Sequence, residues 1–215
     1  LSLSNAFNQD ELRSWHRRVS ALLEGRDFNM VCELKIDGLA VALTYRNGHL
    51  DQGATRGDGY RGEDVTQNLR TIKTIPLGLL EECSGTFEVR GEVYMPSDAF
   101  ARLNHSRSER GEPLYANPRN TAAGTIRQLD SRITASRDLA IFIYALGYVE
   151  PNKSIGTHWD TLQRLKGLGF RISPYNQICT SLDQVEDYYQ RWIENRNKLP
   201  FEADGVVVKV NSLEF

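Results

Sequence analysis

Cysteine and methionine are scarce, with three cysteines and two methionines among 215 residues. Cys32, Cys83 and Cys179 are far apart, odd in number and without a Cys-x-x-Cys pair. This pattern argues against both a disulfide scaffold and a thiolate zinc site. We therefore expect a reducing, cytoplasmic setting.

Long apolar runs are also lacking. No stretch approaches the roughly 18 to 20 uncharged apolar residues of a membrane-spanning helix, and residues 1–5 show no basic segment followed by an apolar one. We therefore expect no secretory signal and no membrane partner. The content of 40% apolar and 25% charged residues fits one or two globular domains with a sizeable core.

A strong net charge is the third missing feature, because the formal charge is only -2. A polyanionic partner would have to bind a local basic surface rather than the whole molecule. Residues 102–137 carry seven arginines against three carboxylates, an excess of four. This stretch is expected to form a loop, and a solvated arginine-rich loop is the alternative to an anion-binding surface.

Hydrophobic periodicity predicts an α+β fold with a largely antiparallel sheet. The Asn47-Gly48 pair indicates a tight hairpin turn. The expected helices begin near Asn8 or Asp10, at Pro96-Ser97, near Thr157 and at Ser181. The expected strands cover residues 31–37, 39–46, a return strand with Leu50 and Ala54, 86–95, 139–146 and 205–210.

Charged side chains recur inside the predicted strands. Alternation in residues 31–37 places Cys32, Leu34 and Ile36 on a buried face, and puts Glu33, Lys35 and Asp37 on a face that carries charge. An ion-paired lysine on a solvated face would be the ordinary interpretation. However, Gly38 permits a close backbone approach, and two further strands carry Glu92 and Lys209. Charges directed to one place are costly unless a ligand occupies it.

A lysine amine is protonated at neutral pH, because its reference pKa is about 10.4. A neighbouring cation such as Lys209, or a bound metal ion, would lower the pKa of Lys35, whereas Glu33 and Asp37 would raise it. An uncharged amine at this position can attack an α-phosphorus and form a phosphoramidate.

The segment Lys35-Ile36-Asp37-Gly38 has the Lys-x-Asp-Gly pattern of covalent nucleotidyltransferases. The surrounding sequence closely resembles the adenylation domain of bacterial NAD-dependent DNA ligases. The resemblance extends almost from end to end, through residues 1–7, 32–41, 54–59, 89–93, 117–124, 127–130 and 204–211. It implies a nucleotidyltransferase fold like that of DNA ligases and mRNA capping enzymes, with largely antiparallel sheets flanked by helices.

The resemblance also implies roles for individual residues. Lys35 is the residue that becomes adenylated, Asp37 orients it and assists the transfer, and Asp204 and Lys209 form a catalytic pair with Lys209 at the α-phosphate. The remaining roles are Glu33 at the adenine amino group, Tyr144 stacked on the adenine, Glu92 at a ribose hydroxyl, Arg56 near the ribose and phosphate, Ser2, Leu3 and Ile36 lining the nucleotide pocket, and Arg119 and Arg127 at the DNA nick.

The expected reaction has three steps. Lys35 takes AMP from NAD, the AMP passes to the 5′-phosphate of a DNA nick, and the 3′-hydroxyl seals the nick. The implied cofactors are NAD as AMP donor and Mg²⁺, whose position no ligand cluster in the sequence indicates. The implied partner is nicked double-stranded DNA, without an obligate protein partner, in the bacterial cytoplasm near the nucleoid.

Residues 1–215 are expected to form an adenylation domain that stops before its last C-terminal motif and could not complete ligation alone. The resemblance implies further domains that we expect to be absent from this sequence: the domain that recognises nicotinamide mononucleotide, and the oligonucleotide-binding, zinc-finger, helix-hairpin-helix and BRCT domains. Ser4 stands where the family's opening motif usually has an aspartate.

Two alternative functions remain. One is an ATP-dependent ligase or capping-type nucleotidyltransferase, which should lack the sequence blocks at residues 54–59 and 117–130. The other is a non-catalytic nucleotide- or DNA-binding module.

Overall fold

The computed structural model describes residues 3–57, 62–150 and 156–214. The helices are α1 Gln9–Leu22, α2 Thr66–Leu69, α3 Ser97–Glu109, α4 Pro118–Ile126, α5 Ser131–Ala135, α6 His158–Gly167 and α7 Leu182–Asn195, followed by a 3₁₀ turn at Arg196–Lys198. The strands are β1 Met30–Ile36, β2 Leu39–Arg46, β3 His49–Thr55, β4 Thr86–Tyr94, β5 Ala140–Glu150, β6 Gln177–Cys179 and β7 Ala203–Val210.

The strands form two antiparallel sheets. The small sheet has the order β6-β1-β7, and the large sheet has the order β3-β2-β4-β5. The predicted α+β class is therefore confirmed. The hairpin between β2 and β3 is confirmed as well, since Asn47 and Gly48 have φ angles of 49° and 77°, as a two-residue primed turn requires.

Two hydrophobic cores lie against the sheets, and the second also contains Tyr94, Ala140 and Phe142 of the large sheet. Beneath the large sheet, Val41, Leu43 and Val89 are almost fully buried, together with residues from α4 and α6. Beneath the small sheet, Cys32 and Tyr188 belong to a second core. The two sheets also approach each other where the Nζ atom of Lys209 on β7 lies 3.0 Å from the carbonyl oxygen of Tyr144 on β5. We call this meeting place the cleft.

The charged face of β1 is not solvated along most of the strand, contrary to the ordinary interpretation of a lysine in such a strand. Met30 through Leu34 are buried on both faces, and Glu33 is only 5% exposed. The second face is covered because His158 at the start of α6 and the side chain of Lys209 contact Glu33. Only the end of the strand, at Lys35, is exposed.

The arginine-rich stretch is not a loop, because it contains the end of α3 and all of α4 and α5. The side chain of Asn117 caps α4 by accepting from the backbone N–H of Asn120, and Pro118 occupies the first helical turn. Asn-Pro is therefore a helix start here. Most of the basic excess is paired locally, through Arg102 with Asp98 and Asp138, Arg107 and Arg110 with Glu112, and Arg132 with Asp130.

The structure also contains two elements that the periodicity did not indicate, α2 and β6, which have four and three residues. Such short elements carry too little pattern to be recognised. Throughout the three described ranges, no helix is long and apolar enough to cross a membrane.

Gly38 is confirmed as a point of close backbone approach. A Cβ atom at this position would overlap the carbonyl oxygen of Val93 on β4. We expect Gly38→Ala to lower the free energy of unfolding by about 1 to 3 kcal/mol, because the neighbouring backbone cannot move aside cheaply. Chemical denaturation measures this loss.

Gly124 provides the control, since it lies within α4 and has no atom within 4 Å of the place that a Cβ atom would occupy. Gly124→Ala should raise the stability by about 0.5 to 1 kcal/mol, because alanine restricts the unfolded chain. Equal effects of the two substitutions would contradict the close approach at Gly38.

Candidate active site

An irregularity in the pairing of β1 with β7 brings Lys35 and Asp204 together. Lys35 pairs with Gly205, but Ile36 pairs with Ala203, so that Asp204 is the additional residue of a β-bulge. Bulges redirect side chains, and here the Oδ2 atom of Asp204 lies 2.8 Å from the Nζ atom of Lys35. The candidate nucleophile is therefore held by a carboxylate at the open end of the small sheet.

Gly205 leaves space beside the Lys35 amine. Residues paired directly across two antiparallel strands have their side chains on the same face, so a side chain at position 205 would lie beside that of Lys35. No atom lies within 4 Å of the position that a Cβ atom would take there. A ligand group can therefore approach Lys35 from this side.

Asp37 extends the charged cluster to α4. Its Oδ1 atom lies 2.9 Å from the Nη1 atom of Arg119, which is also 3.8 Å from the Oδ2 atom of Asp204. Lys35, Asp204, Arg119 and Asp37 thus form a chain of alternating charges. The sequence reasoning assigned Arg119 to a DNA surface separate from the nucleotide site, but the structure places it in contact with that site.

A second cluster lies deeper in the cleft, around Glu33. Its Oε1 atom lies 2.8 Å from the Nζ atom of Lys209 and 2.5 Å from the Nε2 atom of His158. Burial acts to raise the pKa of Glu33, but the hydrogen bond from His158 and the charge of Lys209 outweigh it, and the pKa is lowered. Glu33 is therefore an ionised acceptor.

Tyr144 lies beside this second cluster, with the Nζ atom of Lys209 5.4 Å from its ring centroid. Burial, together with the negative charge of Glu92, raises the pKa of Tyr144 to about 12, so its hydroxyl stays protonated. A neutral aromatic ring at the edge of the cleft provides a stacking surface.

Glu92 contributes a carboxyl group from the large sheet. Burial raises its pKa from 4.5 to about 7, against the opposing charges of Arg119 and Lys35. The charge of Arg56 also acts to lower the pKa of Glu92. The structure thus brings charged residues of both sheets close enough to influence the same carboxyl group.

Lys209, which the sequence suggested as a cation beside Lys35, does not lie next to it. It pairs with Val31, four residues before Lys35 on the partner strand, a separation of about 13 Å along the strand. Its ammonium group is held by Glu33 and by the carbonyl of Tyr144. The neighbour of Lys35 is instead the carboxylate of Asp204.

The other predicted pocket residues lie in different surroundings. The Ile36 side chain packs against the second core rather than lining the cleft, because alternation turns it away from Lys35. Leu3 is 62% exposed, and Ser2 lies outside the described residues. Arg127 pairs with Glu63 at 2.6 Å rather than with a residue of the charged chain.

His158 is the site residue that sequence reasoning missed. It begins α6, and Thr157 caps that helix. A helix start was expected there, but no periodicity or motif links a residue at this position to Glu33, 125 residues earlier. Only the tertiary structure reveals the contact, through the hydrogen bonds between the start of α6 and Asn211, just after β7.

A resident metal site finds no support in the side chains present. Within the described ranges, no three His, Cys, Asp or Glu residues form a group that could hold a metal ion. Magnesium bound mainly by nucleotide phosphates and water needs no such group.

By fold and site, the structure defines an α+β domain with a lysine amine among carboxylates and cations at the edge of a two-sheet cleft. Such a site suits transfer of an anionic group to an amine.

The family model described as "NAD-dependent DNA ligase adenylation domain" matches residues 1–215. The chain belongs to this family.

Similar proteins with the name DNA ligase occur in several organisms. Identity is 54% over 213 residues for Dehalococcoides mccartyi (strain ATCC BAA-2266 / KCTC 15142 / 195), covering 99% of this chain and 32% of that protein. It is 55% over 214 residues for Desulforamulus reducens, covering 100% and 32%, and 53% over 213 residues for Shouchella clausii, covering 99% and 31%. The chain thus spans about a third of the length of these relatives. A solved structure named "Pmar-Lig_Pre." is 14% identical, with a TM-score of 0.44, over 90% of this chain and 42% of that chain.

The raised pKa of Glu92 predicts a pH dependence of stability. Between pH 4.5 and about pH 7 the folded chain binds more protons at Glu92 than the unfolded chain, so this group's contribution to stability falls as the pH rises. In Glu92→Gln this decline should be reduced by about 1 to 3 kcal/mol over that range. Urea denaturation at a series of pH values measures it.

Glu88→Gln is the matched control, because Glu88 lies on the same face of β4 but pairs with Arg90 outside the cluster. It should keep the pH slope of the unchanged chain. An unchanged slope in Glu92→Gln as well would show that Glu92 is not the titrating group.

Proposed function

We propose that this chain is the catalytic adenylation core of an NAD-dependent DNA ligase and that Lys35 is its nucleophile. The observation that carries the proposal is the Lys35–Asp204 contact of 2.8 Å beside the open space at Gly205. It combines an amine, a carboxylate that can accept its proton and room for a phosphate. The match of the whole chain to the adenylation-domain family supports the same reaction.

In the proposed first step, the Lys35 amine attacks the α-phosphorus of NAD. A P–N bond forms, the bond between phosphorus and the bridging oxygen breaks, and nicotinamide mononucleotide leaves. The amine must lose a proton in this step, and Asp204 is the nearest carboxylate that can receive it. Asp37 holds Arg119 close to the same position, where its charge would stabilise the non-bridging oxygens.

The purine would bind at the Glu33 end of the cleft. Glu33 lies two residues before Lys35 on the same strand face, a distance of about 7 Å that leaves room for a ribose. Tyr144 would stack on the base, while Glu92 and Arg56 would lie near the ribose. Because Lys209 is held by Glu33, we place it at the purine rather than at the α-phosphate.

The later steps require DNA. We propose that Arg119 and Arg127, whose side chains are each about half exposed, bind backbone phosphate near the nick. Arg127 has a fixed position, because Asn68 donates hydrogen bonds to the carbonyls of Ile126 and Gln128 on either side of it. The AMP would pass to the 5′-phosphate, and attack by the 3′-hydroxyl would release it.

The remaining elements of the proposal come from the family. NAD serves as AMP donor and Mg²⁺ assists phosphoryl transfer, while nicked DNA is the partner in a bacterial cytoplasm. Because the chain spans about a third of its relatives, we propose that further domains supply mononucleotide recognition and DNA binding. The family match favours this function over an ATP-dependent ligase or capping enzyme. The complete charged cluster favours it over a non-catalytic binding module.

Lys35→Ala should abolish the lysine-linked AMP in a protein of the relatives' full length that carries this chain. The amine is the nucleophile, and its exposed position at the end of β1 means that folding should be retained. Lys35→Arg should be equally inactive, since a guanidinium keeps the charge but stays protonated. Mass spectrometry of the peptide that contains residue 35, after incubation with NAD, measures the adduct. An AMP adduct in the alanine variant would place the nucleophile elsewhere.

In a protein of that length, Arg119→Ala and Arg127→Ala should have different effects on formation of the lysine adduct. Both should weaken nicked-DNA binding and lower its salt dependence by about one phosphate contact each. Arg119→Ala should also slow formation of the lysine adduct, because it leaves Asp37 without its cation. Arg127→Ala should leave adduct formation near normal, because its partner is Glu63.

The measurements are the adduct formation rate, the nick affinity and the melting temperature of each variant. A loss of melting temperature with all steps slowed together would instead show that these arginines only stabilise the fold. Unchanged DNA affinity in both variants would contradict their proposed DNA contacts.

A further inference from the structure

His158 is nearly buried, at 7% exposure, yet the proposed adenylation steps give it no role. We propose that His158 is a positioning residue that orients Glu33 so that the site selects a 6-aminopurine over a 6-oxopurine. This inference rests on the proposed function, because it assumes that the base binds at Glu33.

The position of His158 is set by the strand that carries Lys209. The backbone N–H of His158 donates to the carbonyl of Asn211 at 2.7 Å, and the N–H of Trp159 donates to the Oδ1 atom of Asn211 at 2.9 Å. The N–H of Asn211 in turn donates to the carbonyl of Asn29, at the start of β1, at 2.8 Å. These hydrogen bonds anchor the backbone at the start of α6 to the ends of β1 and β7, the strands that carry Glu33 and Lys209.

The hydrogen bonds around Glu33 are unequally shared between its two oxygens. The Oε1 atom faces both the Nε2 atom of His158 and the Nζ atom of Lys209. An ionised carboxylate only accepts, so Nε2 must carry a proton and donate. The two donor nitrogens are 3.3 Å apart, which fits two donors converging on one oxygen.

The second oxygen of Glu33 is left for a ligand. Of the hydrogen bonds within the described part of the chain, none reaches Oε2, and that atom is not fully enclosed either. Two donors on Oε1 hold that oxygen in place and leave Oε2 as the atom that can accept a hydrogen bond from a ligand. With His158 removed, the long Lys209 side chain alone would hold the carboxylate, and its orientation would be less defined.

This geometry discriminates between purines. The 6-amino group of adenine can donate to Oε2, whereas the 6-oxo group of hypoxanthine can only accept and would face a carboxylate oxygen. A site built to receive a hydrogen bond from its ligand rejects an analogue that cannot donate one. The selectivity should therefore depend on how firmly Oε2 is held, and so on His158.

The test is calorimetric binding of AMP and of inosine monophosphate to the 215-residue chain. The unchanged chain should bind AMP at least about tenfold more tightly, the size expected for one hydrogen bond to a charged group. His158→Leu should reduce that ratio to below about threefold. His158→Gln, which carries an amide donor near the position of Nε2, should restore most of it, and the shorter His158→Asn should not.

His105→Leu is the matched control, since His105 is exposed on α3 and should leave the ratio unchanged. Melting temperatures show whether each variant is folded, and the Gln and Asn pair provides the comparison if the leucine variant does not fold. Folded variants without the donor that keep the AMP preference would overturn the role of His158. Failure of the unchanged chain to bind AMP would refute the nucleotide site itself, and this inference with it.

Discussion

The antiparallel pairing of β1 with β7, and the bulge within it, is the constraint on which the rest of the site depends. The bulge inserts one residue opposite the Lys35–Ile36 step, and that residue is Asp204. Without it, regular alternation would place Asp204 and Gly205 on opposite faces, and a carboxylate would not meet the lysine paired with Gly205. The same register places Lys209 beside Glu33, so one pairing assembles both clusters of the cleft.

The charges of the cleft compensate one another, which matters most for the buried Glu33. Glu33 accepts from two donors, while Lys35 and Arg119 are each in contact with a carboxylate. A buried charge without a partner would be strongly destabilising. At the open end of the cleft, Gly205 leaves space beside a cation. The site thus combines a buried carboxylate held by two donors with an exposed amine that has open space beside it.

Arg119 shows how the two proposed activities share one piece of structure. It lies in the first turn of α4, within the arginine-rich stretch, and its guanidinium contacts Asp37 in the segment that follows β1. A side chain half exposed to solvent and half engaged with the charged cluster can respond both to an incoming nucleotide and to a DNA phosphate. Arg127, held one helix length away against Glu63, has no such link to Lys35.

The sequence by itself determined the α+β class, the hairpin at Asn47-Gly48, the close approach at Gly38 and the family, because each depends on local spacing or on motifs readable along the chain. It also singled out Glu33, Lys35, Asp37, Glu92 and Lys209, since charged residues inside apolar strands are conspicuous, and the resemblance added Asp204. Only the tertiary structure decided that Arg119 contacts Asp37, that Lys209 belongs with Glu33 rather than with Lys35, and that His158 completes their cluster. These contacts join residues between 51 and 176 positions apart. Strand register and helix packing, which alternation patterns do not encode, determine which of such distant side chains meet.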